Sequence, residues 1–176
     1  GTAAYHNSLS EALKNVDLVI EAVPEDLQLK KRVFAEIDGG APPHAIIATN
    51  SSSIPISRIE DAVRRKEKVL NLHFYLPIQQ RNMVDVMRGT KTSDETLQKG
   101  KKWVVGIGCV PIVAKRECLG FVFNRVWHAI KKDCLKILDG DYADIEDVDK
   151  AWRIFTGMPY GPFTMMDVVG LDVVLD

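Results

Sequence analysis

The stretch DLVIEAVPEDLQLKKRVFAEIDGGAPPHAIIATN, residues 17–50, decides the fold of this 176-residue chain. Residues 17–23 form a mostly apolar run, which is typical of a buried parallel strand. Residues 25–40 then predict a helix, because their apolar side chains recur on one side of a helical turn. Residues 45–50 repeat the buried-strand pattern. The stretch therefore predicts a strand–helix–strand unit with parallel strands.

The same alternation continues along the chain up to about residue 115. It predicts a short helix, a strand, a longer helix and a last strand at residues 56–63, 68–74, 93–108 and 110–115. Short strands that alternate with helices indicate a parallel sheet with crossover helices. We therefore expect an α/β domain over residues 1–115.

Beyond Gly120 the pattern becomes entirely helical. Three segments with apolar side chains at helical spacing follow, at residues 121–140, 144–157 and 161–176. They predict a second, all-helical domain over residues 116–176. We expect that the chain is cut at both ends, because nothing precedes the first strand to hold a sheet edge and the last helix is still apolar where the sequence stops.

Composition argues against several classes of function. The chain is 46% hydrophobic and 27% charged, with a formal net charge of −1, so its charge gives no broad case for binding nucleic acid or an anionic membrane. No apolar run approaches the roughly 18 residues of a membrane span, and the first residues lack a signal-peptide pattern. The three cysteines form no CxxC pair, which predicts reduced thiols, a cytoplasmic location and no metal site.

Polar side chains follow the predicted parallel strands at the points where the strands end. Asn50 and Ser52 come after the second strand, in the sequence TNSSS, and His73 lies at the end of the third. In open parallel α/β sheets, ligands bind outside the carboxyl ends of the strands. If these strands are neighbours, we expect Asn50, Ser52 and His73 to converge on one crevice.

A carboxylate in the next apolar run gives His73 a candidate partner. The stretch VLNLHFYLPIQQRNMVDVM, residues 69–87, contains two short apolar segments joined by a polar bend, and Asp85 lies among apolar neighbours in the second. A carboxylate inside a strand is costly unless it is paired or solvated. Asp85 would fix the orientation and tautomer of the His73 imidazole, which could then act as an acid or base near neutral pH.

The residues alone leave other interpretations open. His73 could be a structural histidine, and TNSSS could be a polar loop that caps the next helix. Ser52, His73 and Asp85 also occur in an order that could form a hydrolytic triad, although the sequence contains no G-x-S-x-G nucleophile elbow.

Five segments together resemble the 3-hydroxyacyl-CoA dehydrogenase family, in particular its diketoreductase-like and hydroxybutyryl-CoA dehydrogenase-like members. The segments are DLVIEAVPEDLQLKK, ATNSSS, LHF, GFVFNR and GMPYGPFTMMDVVGLD. The similarity extends along essentially the whole chain. It implies an α/β fold in which a partial Rossmann-type parallel sheet, the second half of an NAD-binding domain, precedes an all-helical dimerisation domain.

The resemblance also implies an activity and roles for individual residues. The chain would belong to an NAD-dependent oxidoreductase that oxidises a 3-hydroxyacyl substrate, as a CoA thioester, to its 3-oxo form. His73 would be the base with Asp85 as its partner, and Ser52 and Asn124 would contact the substrate oxygen. The residues implied in cofactor binding are Glu25, Lys30, Asn50 and Ser52. The family further implies a homodimer and a role in the β-oxidation of fatty acids.

Three departures from the family pattern bear on these expectations. Asp85 replaces the family's glutamate, so the pair with His73 should be longer or bridged by water. Leu76 replaces a common asparagine. The GxGxxG loop that binds the cofactor pyrophosphate does not occur in this sequence, so we expect weak NAD binding or none, and the choice between NAD and NADP stays open. A catalytically impaired dimerisation or scaffold module is therefore a second interpretation.

Overall fold

The computed structural model describes residues 2–79 and 81–170 and contains a five-stranded sheet followed by three helices. The strands are β1 (Leu18–Glu21), β2 (Ile46–Thr49), β3 (Val69–Phe74), β4 (Met83–Arg88) and β5 (Val110–Ala114). The helices are α1 (Leu9–Ala12), α2 (Leu27–Gly40), α3 (Asp94–Gly106), α4 (Phe123–Asp139), α5 (Ile145–Thr156) and α6 (Pro162–Val169). The predicted α/β class is confirmed.

The sheet is not wholly parallel, which corrects the expectation of a parallel sheet. Its order is β1-β2-β3-β4-β5, and β3 and β4 pair antiparallel whereas all other neighbours are parallel. The reason is the length of the connection. Only residues 75–82 join β3 to β4, and a parallel pair needs a crossover of a dozen or more residues.

Two predicted helices are shorter than expected. The segment 56–63 forms two 3₁₀ turns, Ile56–Arg58 and Glu60–Ala62, rather than an α-helix. The last predicted helix, 161–176, begins at Pro162 and ends at Val169, and the apolar residues 171–176 lie outside the described part of the chain. Short 3₁₀ pieces are common as connectors between regular elements.

Apolar side chains cover both faces of the sheet. One core cluster includes Phe34 and Ile37 of α2 together with Ile47 and Val69. A second includes Leu70, Leu72, Val86, Leu97 and Val104, so it joins β3 and β4 to α3. Successive strand residues point to opposite faces, which is why neighbouring Val69 and Leu70 enter different clusters. This double burial makes the sheet a rigid support for the residues at its carboxyl edge.

The contacts along the chain divide it into two compact units, residues 1–122 and 123–176. The second unit has a small core made of Cys134, Phe163 and Met166. Asp149 of α5 organises it, because its carboxylate accepts hydrogen bonds from the backbone N–H groups of Phe163 (2.8 Å) and Thr164 (2.9 Å) at the start of α6. In the part of the chain that the structure describes, no helix is long and apolar enough to cross a membrane.

Gly89 leaves the space that a buried carboxylate needs. A Cβ atom at this position would lie 2.1 Å from Glu60 Oε2 and 3.1 Å from Ile56 Cγ2, and Glu60 also accepts a hydrogen bond from the N–H of Thr90 at 2.9 Å. We expect Gly89→Ala to lower the free energy of unfolding in urea by about 1–3 kcal/mol, because the added methyl overpacks this site. Gly106→Ala is the control, since nothing lies within 4 Å of its Cβ position. Equal effects of the two substitutions would contradict this account.

Candidate active site

The ends of β2 and β3 lie side by side and are joined by side-chain hydrogen bonds. Oδ1 of Asn50 accepts the backbone N–H of Phe74 at 2.9 Å. Nδ2 of Asn71 donates to the carbonyl oxygen of Ser51 at 3.0 Å. The two asparagines thus fasten the loop that follows β2 to the end of β3, next to His73. Ser52 is exposed in that loop.

His73 and Asp85 face each other across the antiparallel pair of β3 and β4. They are direct partners in the register, so their side chains emerge on the same face of the sheet. Nδ1 of His73 lies 3.3 Å from Oδ2 of Asp85. Both residues are buried, with 7% of His73 and none of Asp85 exposed. The two sequence-predicted residues therefore lie in direct contact, at a distance longer than that of a typical charge-assisted hydrogen bond.

Two further aromatic side chains surround the His73 ring, and the sequence reasoning missed both. The Tyr75 hydroxyl donates to Oδ2 of Asp85 at 2.5 Å, and its ring meets the imidazole edge-on with the centroids 4.7 Å apart. Phe121 stacks parallel to the imidazole at 4.8 Å. The spacing of Tyr75, two residues after His73, was a signal for the same face of an extended chain.

Phe121 reaches the imidazole from a backbone conformation that is rare for a non-glycine residue. Its φ is +51°, and it follows Gly120 with a φ of +78°. Side chains other than glycine rarely occupy this left-handed region. Phe121 is 4% exposed. The ring that packs on the histidine therefore belongs to a buried residue in a strained turn. A motif search for polar residues does not find such a contact.

A buried lysine links the end of β1 to the loop that follows β2, residues 50–54, which we call the serine loop. Nζ of Lys30 lies 2.9 Å from Glu21 Oε1 and 3.1 Å from Glu25 Oε2, and Lys30 is only 1% exposed. Glu21 also accepts the Thr49 hydroxyl at 2.7 Å. Because a buried charge requires partners, Lys30 holds both carboxylates in place. Glu21 is the member that sequence reasoning did not select, although it interrupts the apolar run of β1.

Glu25 gathers most of the hydrogen-bond donors of the serine loop. Its Oε1 accepts hydrogen bonds from the Ser51 hydroxyl, from the Ser53 N–H at 2.9 Å and hydroxyl at 2.8 Å, and from the Ile54 N–H at 3.2 Å. Partial burial by itself raises the pKa of Glu25, but hydrogen bonds from Ser51, Ser53 and Lys30 outweigh it and lower the pKa from 4.5 to about 2. The loop that carries Ser52 is thus anchored through its neighbours.

This shift predicts a pH dependence of stability. Since the pKa of Glu25 is lower in the folded state than its ordinary value of 4.5, ionised Glu25 stabilises the fold above pH 4.5, and this contribution is lost as the pH falls toward 2. Its side chain is 36% exposed, so solvent screening reduces the effect to about 1 kcal/mol. We expect Glu25→Gln to flatten the curve of unfolding free energy against pH in this window. Exposed Glu36→Gln is the control; an unchanged slope in Glu25→Gln would refute the assignment.

The basic stretch at residues 64–66, which follows the 3₁₀ turns, is fixed to the fold by its central residue, Arg65. Arg65 donates to Asp38 Oδ1 at 2.6 Å, and its guanidinium also donates to the carbonyl oxygens of Asp38 and Ala41. Burial on its own raises the pKa of Asp38, and the hydrogen bonds from Arg64 and Arg65 lower it overall. Arg65 is engaged in these contacts and therefore has a structural role.

Asn124 belongs to the second unit, where it is the second residue of α4 and is half-buried. The other predicted site residues all belong to the first unit. They form two groups at the carboxyl edge of the sheet: the His73–Asp85 pair, and the serine loop with Glu25 and Lys30. Ligands of open α/β sheets bind at this edge, and histidine–carboxylate pairs are among the side-chain groups that exchange protons with ligands in enzymes.

Comparison with known proteins gives the family. Residues 2–118 match the model of the 3-hydroxyacyl-CoA dehydrogenase NAD-binding domain, and residues 120–176 match that of the 3-hydroxyacyl-CoA dehydrogenase C-terminal domain. The chain belongs to the 3-hydroxyacyl-CoA dehydrogenase family. The resemblance expected from its motifs is thereby confirmed.

Solved structures agree with this assignment. A diketoreductase that acts on dicarbonyl compounds is 40% identical, with a TM-score of 0.92 over 96% of this chain and 60% of the other. The (S)-3-hydroxybutyryl-CoA dehydrogenase of Ralstonia eutropha is 31% identical, with a TM-score of 0.90 over 96% of this chain and 59% of the other. The 3-hydroxybutyryl-CoA dehydrogenase of Escherichia coli K12 is 32% identical, with a TM-score of 0.91 over 96% of this chain and 35% of the other. The chain thus spans about 60% or less of the length of these relatives.

Proposed function

We propose that this chain forms the substrate-side part of an NAD-dependent oxidoreductase that interconverts a 3-hydroxyacyl and a 3-oxoacyl compound. The observation that carries the proposal is the buried pair of His73 and Asp85 at the carboxyl edge of the sheet. Oxidation of a secondary alcohol needs a base that removes the hydroxyl proton. A neutral imidazole with a carboxylate behind it is suited to that step.

We base the proposed roles of the residues on the contacts that their side-chain atoms already make. Nδ1 of His73 faces Asp85, so Nε2 is the atom that takes the proton of the substrate hydroxyl. Asp85 then stabilises the imidazolium that forms. We assign to Ser52 and Asn124 the polarisation of the substrate oxygen, since hydroxyl and amide donors stabilise developing negative charge.

The residues present fit the nicotinamide end of a dinucleotide. The loop after β2 offers the exposed Ser52 hydroxyl, and Glu25 with Lys30 anchors that loop from behind. Asn50 fixes the loop to β3 through the N–H of Phe74. When bound, NAD supplies the hydride acceptor. We therefore propose that Ser52 contacts the nicotinamide group and that the other three residues hold its loop in position.

We further propose a CoA thioester substrate and a homodimer, with a role in the β-oxidation of fatty acids in the cytoplasm. The two hydroxybutyryl-CoA dehydrogenases that this chain resembles are named for CoA substrates. The second unit exposes large apolar side chains on α5, with 92% of Phe155 and 77% of Ile154 exposed. Exposed apolar surface of this kind favours association between subunits. Light scattering that gives the monomer mass at micromolar concentration would refute the dimer.

The activity is tested in the protein that carries this chain. Calorimetry should detect NADH binding, and NADH absorbance should fall when acetoacetyl-CoA is added. Absence of both in a well-folded dimer would overturn the proposal in favour of the scaffold module. Labelling of Ser52 by a fluorophosphonate probe would instead support the hydrolytic triad. In the described part of the chain, no hydrogen bond joins Ser52 to His73, which favours the dehydrogenase.

A further inference from the structure

Two side chains converge on a single oxygen atom of the buried Asp85 carboxylate. The Tyr75 hydroxyl lies 2.5 Å from Oδ2, and Nδ1 of His73 lies 3.3 Å from the same atom. The other oxygen, Oδ1, is buried without a hydrogen-bond partner among the described residues. Within the described residues, both polar contacts of this carboxylate are therefore made by Oδ2.

The two distances show which contact holds the carboxylate. Hydrogen bonds from N–H donors to carboxylates are about 2.7–2.9 Å long when one partner is ionised, and those from O–H donors are about 2.5–2.7 Å. The Tyr75 contact has the length of a strong charge-assisted bond, whereas the His73 contact is longer than one. Asp85 is therefore held chiefly by Tyr75, although His73 is its partner in the strand register.

We propose that Tyr75 is a positioning residue whose hydroxyl holds Asp85 Oδ2 where it accepts the Nδ1–H of His73. This contact selects the imidazole tautomer that bears its proton on Nδ1 and leaves Nε2 unprotonated. The aromatic packing supports the same geometry, because the Tyr75 ring meets the imidazole edge-on and Phe121 covers one of its faces. Tyr75 transfers no proton. The catalytic meaning of the free Nε2 rests on the proposed function, but the tautomer itself does not.

The tautomer can be read directly by ¹⁵N NMR of the His73 ring in the full chain, at a pH where the ring is neutral. We expect wild-type His73 to be protonated on Nδ1. In Tyr75→Phe the ratio of the Nε2–H to the Nδ1–H tautomer should rise by about tenfold, since a hydrogen bond to a charged group is lost. Tyr5→Phe removes the same atom at a position that is 97% exposed, and its ratio should equal the wild-type value.

A second variant separates positioning from a general loss of packing. Combining Tyr75→Phe with Asp85→Glu lengthens the carboxylate by one methylene in the space that the hydroxyl vacates, so it should restore the Nδ1–H tautomer without restoring the tyrosine. An unchanged tautomer in folded Tyr75→Phe overturns the proposal. If Tyr75→Phe does not fold, the NMR spectrum of the wild-type protein tests the proposal instead. A slowly exchanging Tyr75 hydroxyl proton with an Nδ1–H tautomer supports the proposal, and a predominant Nε2–H tautomer overturns it.

The kinetic readout distinguishes this inference from the proposed function. In an active enzyme, Tyr75→Phe should lower kcat by about tenfold with little change in KM, because the base is present less often in its competent form. A tautomer change in a protein without oxidoreductase activity would leave the positioning role standing and refute the proposed function alone. An unchanged tautomer in an active enzyme would refute the positioning role alone.

Discussion

Replacement of His73 by glutamine is expected to lower kcat for the reduction of acetoacetyl-CoA by about 10²–10⁴-fold, the range that general acid–base catalysis contributes. Glutamine keeps a polar side chain of similar length but cannot exchange a proton near neutral pH. KM should change little, because the lost interaction is one that the transition state requires. The measurement is the initial rate of NADH consumption, with saturation curves in substrate and cofactor.

His44→Gln is the matched control for this change. His44 belongs to the same unit and also contacts a carboxylate, since its Nε2 lies 3.1 Å from Asp17 Oδ1, but its side chain is 62% exposed. We expect wild-type rates for this variant. Retention of more than about a tenth of the wild-type kcat by folded His73→Gln would mean that another group is the base, because general-base loss costs far more than this.

Replacement of Lys30 by methionine is expected to destabilise the first unit by about 3–5 kcal/mol, because it leaves the buried carboxylate of Glu21 without its counter-charge. Glu21 is 4% exposed and lies 2.9 Å from the Lys30 ammonium. Methionine fills most of the same volume, so the loss is electrostatic rather than a cavity effect. The measurement is the free energy of unfolding in urea at neutral pH.

Lys99→Met provides the comparison, because Lys99 also pairs with a glutamate, Glu95 at 2.7 Å, but on an exposed helix surface. Such i, i+4 pairs contribute only about 0.3–0.5 kcal/mol. Adding Glu21→Gln to Lys30→Met should recover part of the lost stability, since it removes one uncompensated charge. A Lys30→Met variant no less stable than Lys99→Met would show that water reaches the network.

The local patterns of the sequence predicted the strands of the first unit well. The apolar runs of β1, β2 and β3 identified buried strands because both faces of this sheet are covered. The antiparallel direction of β4 was missed, since the alternation of strands and helices gives no information about a connection as short as residues 75–82. Connection length, rather than periodicity, determines that direction.

The candidate site was predictable to the extent that its residues follow strand ends. His73 and Asp85 could be paired from one stretch because a buried carboxylate needs a partner. The contact between Phe121 and the imidazole could not be predicted, since an aromatic residue is most simply interpreted as part of the core. The spacing of Tyr75 after His73 predicts a shared face, but not that its hydroxyl reaches Asp85. Their contacts with the imidazole depend on tertiary placement, and for Phe121 on a left-handed turn after Gly120.

The antiparallel pairing of β3 and β4 also separates the buried His73–Asp85 pair from the exposed side chains of the bend. His73 and Asp85 are only 12 residues apart in the chain, and between them Leu76 and Ile78 are exposed in the bend. Exposed bends tolerate substitutions and insertions that a strand does not. A one-residue slip within β4, by contrast, would turn Asp85 to the opposite face. Substitutions at the exposed positions of the bend should therefore leave the His73–Asp85 pair in place, because that pair depends on the alignment of two strands.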